Sequence, residues 1–169
     1  MQFLRLTLVV LVLGLAACGA DDSKFRRYSG PDVTSVQVHK AERKMYLLHG
    51  SKVLRQYDIG LGPMPVGHKR HEGDGRTPEG IYYIDRQNPN SKYHLSLGIS
   101  YPNPSDQQMA FLAGKPPGGD IFIHGRGAGG ASVPANVRDW TAGCIAVSDA
   151  EVEEIYAMVK VGTPILILP

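Results

Sequence analysis

The sequence predicts a mostly β domain with one well-defined helix near its C-terminal end. Glycine and proline supply 20 and 12 of the 169 residues, which is typical of a chain with many turns and short strands. Several short runs rich in valine, tyrosine and leucine show partial alternation of apolar and polar residues. One segment close to the C-terminus instead has helical periodicity behind a helix-capping signature.

The first residues have the three parts of a secretory signal. A short basic start precedes an apolar run at residues 6–15, and the small residues Ala16 and Ala17 stand directly before Cys18. The run is about half of the ~20 residues that a membrane-spanning helix needs. The motif LAAC that ends at Cys18 resembles a bacterial lipobox, which implies lipidation of that cysteine. We therefore expect residues 1–17 to be a lipoprotein signal peptide; ordinary cleavage nearby with an unmodified Cys18 is the alternative.

The residues after Cys18 predict a tether and then the domain. Residues 18–31 are mostly polar and predict a flexible tether, and residues 32–169 predict the folded domain. This order predicts a protein on the periplasmic side of the bacterial envelope, held at the membrane by lipidated Cys18. Residue 19 is not aspartate, which by the sorting rule of some Gram-negative bacteria favours the outer membrane. A net charge of +2 without a basic cluster indicates no nucleic-acid partner.

The domain begins with three predicted strands joined by tight turns, in the runs VTSVQVHK, KMYLLHG and KVLRQYDIGLG. Residues 61–80 then hold too much glycine and proline for a regular element and predict a long loop, a feature that is often functional. A second irregular stretch contains a short predicted helix around residues 107–112. Four further strands are predicted in GIYYID, HLSLGISY, DIFIHG and TPILIL.

The predicted helix follows a capping box formed by Ser148 and Glu151. Gly162 is expected to end it. An apolar stripe at helical spacing faces the core and consists of Val152, Ile155, Tyr156 and Val159.

Cys144 is the residue on which the functional interpretation depends. It is either a buried core thiol, half of a disulfide, a metal ligand or a nucleophile. Lipidation of Cys18 would leave Cys144 without a partner in the chain. Its position just before the helix predicts a low thiol pKa, and Gly143 would let a substrate approach backbone N–H groups that hold an oxyanion. A buried structural cysteine remains the alternative on these grounds.

His124 is the best candidate for the base that a cysteine nucleophile needs. It ends the apolar strand DIFIH and is followed by Gly125, so it is held rigidly at the rim of the sheet. A capped rim histidine without catalytic use is the alternative. The order IHG and then AGC favours the catalytic interpretation.

These motifs resemble the YkuD-type L,D-transpeptidase catalytic-domain family. The family carries His-Gly, a gap and then Ser/Thr-x-Gly-Cys; here the pieces are His124–Gly125, a gap over residues 126–140 and Thr141–Cys144. The motif TPEG within EGDGRTPEGIYYI also resembles the family. The likeness spans residues 33–169.

The resemblance implies a β-sandwich or barrel-like fold and cysteine acyl transfer on peptidoglycan stem peptides, with no metal or organic cofactor. Cys144 would form a thioester and His124 would act as base. The carbonyl of Gly125 would orient the imidazole, and the N–H groups of Gly143 and Cys144 would bind the oxyanion.

Two departures from the family pattern leave the reaction open. Many members carry polar residues where this chain has Ala142 and Ala146. An L,D-carboxypeptidase or amidase that hydrolyses wall peptides or protein–peptidoglycan links is therefore the first alternative to a transpeptidase. A wall-linked protein is then a further partner. A non-catalytic wall-binding lipoprotein is the alternative from another class, and the intact motif argues against it.

Further residues are candidates for substrate binding. The family often has a histidine at the position of His94, which is expected on a strand beside the cleft. Aromatic residues that could pack along a peptide groove, and the threonine of the cysteine motif, complete the set: Tyr101, Trp140 and Thr141.

The run HKRHEGD offers a weaker alternative, a metal site. Its candidate ligands all fall in one polar loop, and their spacing fits no strong zinc pattern: His68, His71, Glu72 and Asp74. The sequence therefore predicts no metal centre.

Overall fold

The computed structural model describes residues 23–169, and this part of the chain forms one eight-stranded sheet with two α-helices. The helices are α1 (Pro104–Leu112) and α2 (Asp149–Met158). A short 3₁₀ turn covers Ala128–Gly130. The strands are β1 (Ser35–His39), β2 (Lys44–His49), β3 (Lys52–Asp58), β4 (Gly80–Asn88), β5 (Ser96–Ile99), β6 (Phe122–His124), β7 (Ile145–Ala146) and β8 (Pro164–Leu168).

The sheet has the order β3-β2-β1-β8-β4-β5-β6-β7. The C-terminal strand β8 lies in its middle, parallel to β1 and antiparallel to β4, and so joins the two halves. Gly60, just after β3, exchanges both backbone hydrogen bonds with Ala146 of β7 at 2.9 Å each. This bridge brings the two ends of the sheet together. The predicted mostly β, barrel-like fold is confirmed.

The core lies inside the curled sheet and beneath α2. Alternate residues of the strands point inward, so buried and half-buried residues alternate along β1 and β8. Helix α2 buries one face, and each fully buried aliphatic side chain contributes about 1.5–3 kcal/mol. The inward-facing residues of these elements are Val36, Val38, Val152, Ile155, Met158, Ile165 and Ile167.

Helix α2 has the predicted capping box, in which the backbone N–H of Glu151 donates to Ser148 Oγ at 3.3 Å. Its end differs from the prediction. The helix stops at Met158 because Val159 is extended (φ −98°, ψ 123°). Gly162 instead adopts φ +91° in the turn that leads into β8, a conformation that favours glycine.

The long loop between β3 and β4 is held in place by a buried lysine. The side chain of Lys40 is 2% exposed. Its Nζ donates to the carbonyl oxygens of Gly67 at 2.7 Å and Thr77 at 3.0 Å, and to the carboxylate of Glu79 at 2.7 Å. Burial lowers the pKa of Lys40, while the contact with Glu79 opposes that change. All three donors of the ammonium group are used, so the loop has one defined path.

The predicted signal peptide and lipidated Cys18 lie outside the described residues. Residues 23–31, in the predicted tether, have no regular secondary structure but contact the domain: Arg26 forms an ion pair with Glu153 of α2 at 2.9 Å. The boundary between tether and domain stays a prediction. Within residues 23–169, neither helix is long and apolar enough to cross a membrane.

Candidate active site

Parallel pairing of β6 and β7 brings His124 and Cys144 to the same face of the sheet. Ile123 lies opposite Ile145, and His124 lies opposite Ala146. Both isoleucines are fully buried in the core, so alternation along the strands turns His124 and Cys144 to the other face. The two side chains line one cleft of about 570 Å³. The predicted nucleophile and base therefore meet in one cavity.

A backbone carbonyl fixes the orientation of the histidine ring. His124 Nδ1 lies 2.6 Å from the carbonyl oxygen of Gly125. Because a carbonyl only accepts hydrogen bonds, Nδ1 carries the proton and Nε2 is left with its lone pair. A Cβ atom at Gly125 would lie 2.5 Å from the carboxylate of Asp149. A side chain at this position would therefore displace the Asp149 carboxylate from its bond with the N–H of Arg126.

Two aromatic side chains enclose the imidazole. The ring of Tyr93 stacks on His124 with centroids 4.5 Å apart, and Trp140 meets it edge-on at 5.5 Å. His124 is only 3% exposed, and burial lowers its pKa below the ordinary value of 6.5, although the contact with Gly125 opposes this. The imidazole is therefore neutral at pH 7 and can accept a proton.

The turn that carries the cysteine depends on Gly143. Its φ of +134° favours glycine, and an added Cβ would lie 2.5 Å from the carbonyl oxygen of Arg76. The hydroxyl of Thr141 donates to the carbonyl of Cys144 at 2.7 Å and accepts the N–H of Gly143 at 3.2 Å. The N–H groups of Gly143 and Cys144 were the two predicted oxyanion donors. Because the N–H of Gly143 already donates to Thr141, the N–H of Cys144 is the remaining candidate. The hydroxyl of Thr141, predicted to bind substrate, is also engaged there.

Thr77 is a site residue that the sequence analysis did not single out. It is fully buried, and its hydroxyl donates to the carbonyl of Gly143 at 2.8 Å. The signal was present in the motif TPEG. The first residue of this motif is Thr77, and its hydrogen bond to Gly143 connects the long loop to the turn that carries the cysteine.

The cysteine sulfur lies in a partly exposed position, 3.4 Å from the carbonyl oxygen of Asp120. Burial raises the pKa of the Cys144 thiol, and this effect exceeds the lowering by the backbone N–H of Phe122 and the charge of Lys69. The prediction of a low thiol pKa is therefore wrong. Helix α2, which was expected to lower the pKa of the thiol, begins at Asp149 and not directly after Cys144. The carboxylate of Asp149 accepts the N–H of Arg126 at 2.6 Å.

This environment predicts slow alkylation of Cys144. Iodoacetamide reacts with the thiolate, so at pH 7 the reaction should be slower than with a free-cysteine peptide, whose pKa is ~8.5. The rate should rise with pH, with its midpoint above that of the peptide. Mass spectrometry of the peptide that contains Cys144 measures the rate between pH 6 and 10, and urea-unfolded protein serves as the control. Faster labelling than the free peptide at pH 7 would contradict the raised pKa.

Two predicted substrate-binding residues make contacts within the fold, and their role in substrate binding stays a prediction. His94 is not on a strand, since β5 begins at Ser96, and its Nε2 lies 2.7 Å from Glu153 Oε1 on α2. Tyr101 is 5% exposed, and its hydroxyl donates to the carbonyl of Pro117 at 2.9 Å. The imidazole of His94 therefore contacts helix α2, and Tyr101 packs in the core.

The other two predicted substrate-binding residues reach the site. A smaller cleft of about 310 Å³ is lined by Trp140 and Thr141 together with His124 and Cys144. Tyr93, which the sequence analysis passed over, lines both this cleft and the larger one.

The polar side chains of HKRHEGD hold the loop together. His68 Nε2 lies 3.0 Å from the carboxylate of Asp106. Although burial opposes the change, the N–H of Arg70 and the Lys69 ammonium lower the pKa of Asp74 to about 2. Across residues 23–169, no group of three or more histidine, cysteine and acidic side chains is arranged to hold a metal ion.

A cysteine and an oriented histidine thus line one cleft at the rim of the sheet, which is an arrangement that thiol chemistry can use. The family model of the YkuD L,D-transpeptidase catalytic domain matches residues 34–167. The chain belongs to this family.

Known relatives share the domain. YafK of Escherichia coli K12, which is named as an L,D-transpeptidase, is 27% identical over 135 residues that cover 73% of this chain and 46% of YafK. The helical cell shape determining protein Pgp2 of Campylobacter jejuni is 27% identical, with a TM-score of 0.60 over 88% of this chain and 51% of Pgp2. Bd1075 of Bdellovibrio bacteriovorus is 25% identical, with a TM-score of 0.56 over 81% of this chain and 48% of Bd1075. The chain spans about half the length of these relatives.

Proposed function

We propose that the chain is a cysteine enzyme that carries out acyl transfer on peptidoglycan stem peptides. The observation that supports this most directly is the shared cleft of Cys144 and His124, with His124 Nδ1 bound to the carbonyl of Gly125 at 2.6 Å. Membership of the L,D-transpeptidase family supports the substrate class. The likeness to Pgp2 supports a role in shaping the wall.

In this proposal the reaction begins from a neutral thiol and a neutral imidazole. His124 Nε2 accepts the thiol proton as the sulfur of Cys144 attacks the carbonyl carbon of an L-centre joined to a D-residue. The backbone N–H of Cys144 donates to the oxyanion. The C–N bond then breaks, the imidazolium returns its proton to the leaving amine, and a thioester remains on Cys144. An amine or a water molecule attacks the thioester, His124 takes the proton of the attacking group, and the thiol is restored.

Hydrolysis is the second candidate outcome, and two alanines favour it. Ala142 is exposed beside the cysteine and offers no polar group to a second stem peptide. Ala146 is 5% exposed and forms the bridge to Gly60 that joins the ends of the sheet. Its methyl group likewise offers no polar contact to a stem peptide. An L,D-carboxypeptidase or an amidase would use the same thioester with water as acceptor.

Incubation with defined muropeptides tests the proposal. The purified protein is given stem peptides with and without an added amine acceptor, and products are separated by liquid chromatography and mass spectrometry. We expect hydrolysis to be at least as evident as cross-link formation. A protein that binds the peptides but neither cuts nor joins them would be the non-catalytic wall-binding alternative.

We also propose that the domain is anchored in the cell envelope, facing the periplasm, through lipidated Cys18, with the outer membrane as the favoured site. The apolar run before LAAC supports this.

Cys18→Ser should release the protein into the soluble periplasmic fraction or block its processing, because the acylated residue is lost. Fractionation and the mass of the mature N-terminal peptide measure this, with Ser23→Ala as the matched control. Correct cleavage of Cys18→Ser with full membrane retention would exclude the lipid anchor.

A further inference from the structure

Residues 24–28, in the predicted tether, lie against helix α2 and against the loop that joins β4 to β5. Lys24 Nζ donates to two carbonyl oxygens of this loop, those of Pro89 at 2.5 Å and His94 at 3.4 Å. The ring of Tyr28 packs against the core. We call residues 24–28 the strap, because they cross the surface of the domain and hold two of its elements.

A carboxylate on α2 connects the strap to the same loop. Glu153 Oε2 accepts two N–H groups of Arg26, from Nε at 3.0 Å and from Nη2 at 2.9 Å. Its other oxygen, Oε1, lies 2.7 Å from His94 Nε2. Although burial opposes the change, the contacts with His94 and Arg26 lower the pKa of Glu153, so this carboxylate is ionised at pH 7. One oxygen therefore binds the strap and the other binds the loop.

The backbone of His94 depends on contacts of this kind. Its φ is +78°, a value that residues with a side chain adopt only where the surroundings hold it. Glu153 holds the imidazole, and Lys24 holds the carbonyl oxygen. Loss of these contacts would let the backbone move toward a more common conformation.

The same loop forms one wall of the larger cleft. The lining of this cleft includes residues 90–93 together with His124 and Cys144. Tyr93 comes directly before His94 in the chain, and its ring stacks on the imidazole of His124 with centroids 4.5 Å apart. A change in the backbone of His94 would therefore move the ring that covers the base.

We infer that the strap positions the active site: through the Glu153 carboxylate it holds the Tyr93 ring against the imidazole of His124. Arg26, Glu153 and His94 are positioning residues and not catalytic ones, since none of them is in the lining of the larger cleft. The inference rests on the proposed function, because it gives the strap a part in the proton transfers of His124. The segment beside the proposed anchor then contributes to activity and is more than a linker.

Arg26→Met tests the inference with the full chain and defined stem peptides. The variant removes the ion pair and keeps an aliphatic side chain at a position that is 47% exposed. We expect kcat to fall about 3- to 10-fold, because a small displacement beside a base lowers the rate. The loss is moderate, since the N–H of Gly129 still donates to the carbonyl of Lys92 at 2.8 Å and holds the loop. Arg26→Lys keeps the charge and should restore most of the rate. An unchanged kcat in Arg26→Met would overturn the inference.

Arg55→Met is the matched control. Arg55 forms an ion pair at 2.6 Å with Glu154, the next residue of α2, and its side chain is 45% exposed. Loss of this pair should change the melting temperature about as much as loss of the Arg26 pair, whereas kcat should keep its wild-type value. A purely structural role of the strap would change the melting temperature in both variants without separating them in kcat, which would contradict the inference.

Fluorescence of Trp140, the only tryptophan in the sequence, measures the position of Tyr93 without any substrate. The two ring centroids are 5.9 Å apart, so a displaced Tyr93 would uncover the indole. Acrylamide should therefore quench Arg26→Met more strongly than the wild type, and Arg55→Met should behave as the wild type does. Glu153→Gln should have at least the effect of Arg26→Met, and the double variant should be no worse, because both changes act through one carboxylate. Equal quenching in all of these proteins would count against the inference.

The two measurements also distinguish failure of the inference from failure of the proposed function. Stronger quenching in Arg26→Met, in a protein whose wild type does not turn over stem peptides, would remove the proposed function and keep the positioning of Tyr93 by the strap. Wild-type turnover with the same kcat and the same quenching in Arg26→Met would do the reverse.

Discussion

Cys144→Ala is expected to abolish turnover of stem peptides and to leave the fold intact. The thioester needs the sulfur atom, and alanine has no nucleophile to replace it. The side chain is partly exposed in the cleft, so loss of one sulfur should cost little packing and change the melting temperature by only a few degrees. Liquid chromatography of the products measures the first effect, and circular dichroism measures the second. Wild-type turnover by the folded variant would exclude Cys144 as the nucleophile.

Treatment with EDTA is the companion experiment for the same mechanism. A thiol–imidazole pair needs no metal ion, so the activity of the wild type should survive the chelator. Inactivation by EDTA with recovery on addition of zinc would contradict the thiol mechanism. It would indicate instead that a metal ion binds, with the loop that contains His68 and Asp74 as its candidate site.

The local elements of the fold were predictable from the sequence because local interactions create them. The capping box of Ser148 and Glu151 forms within one turn of helix, and alternation along β1 and β8 places every second side chain inside. The sheet order was not predictable. The position of β8 between β1 and β4 depends on long-range pairing, and an alternating pattern does not name its partner strand.

The candidate site likewise has parts that the sequence predicts and parts that depend on the assembled fold. The spacing of the motifs identified His124 and Cys144 as a pair, but the solvation of the thiol depends on the assembled cleft, so its raised pKa was missed. The sequence predicted that His94 lies beside the cleft, but its neighbour Tyr93 lines the cleft instead. His94 points toward Glu153 of α2, and which of two adjacent side chains faces the cleft depends on the path of the folded backbone. The burial of Thr77 beneath Gly143 arises only when the long loop folds over the turn.

His124→Ala should lower kcat about 10²- to 10⁴-fold, the usual cost of losing a general base. His124→Gln is the companion variant, because it fills more of the space between Tyr93 and Trp140 and lacks the basic ring. The double variant with Cys144→Ala should be little worse than Cys144→Ala alone, since the two residues act in one step. His49→Ala changes an exposed histidine on β2 and should keep wild-type activity.

The pH profile of the wild type gives an independent measure of the same residue. Burial lowers the pKa of His124, so the neutral base persists below the ordinary midpoint of 6.5. As the pH falls, kcat/KM should therefore stay near its maximum through 6.5 and decline only at lower pH, when the imidazole takes up a proton. In His124→Gln the residual activity should lose this acidic limb. A limb with its midpoint above 6.5, or one that persists in His124→Gln, would show that another group controls the proton transfer.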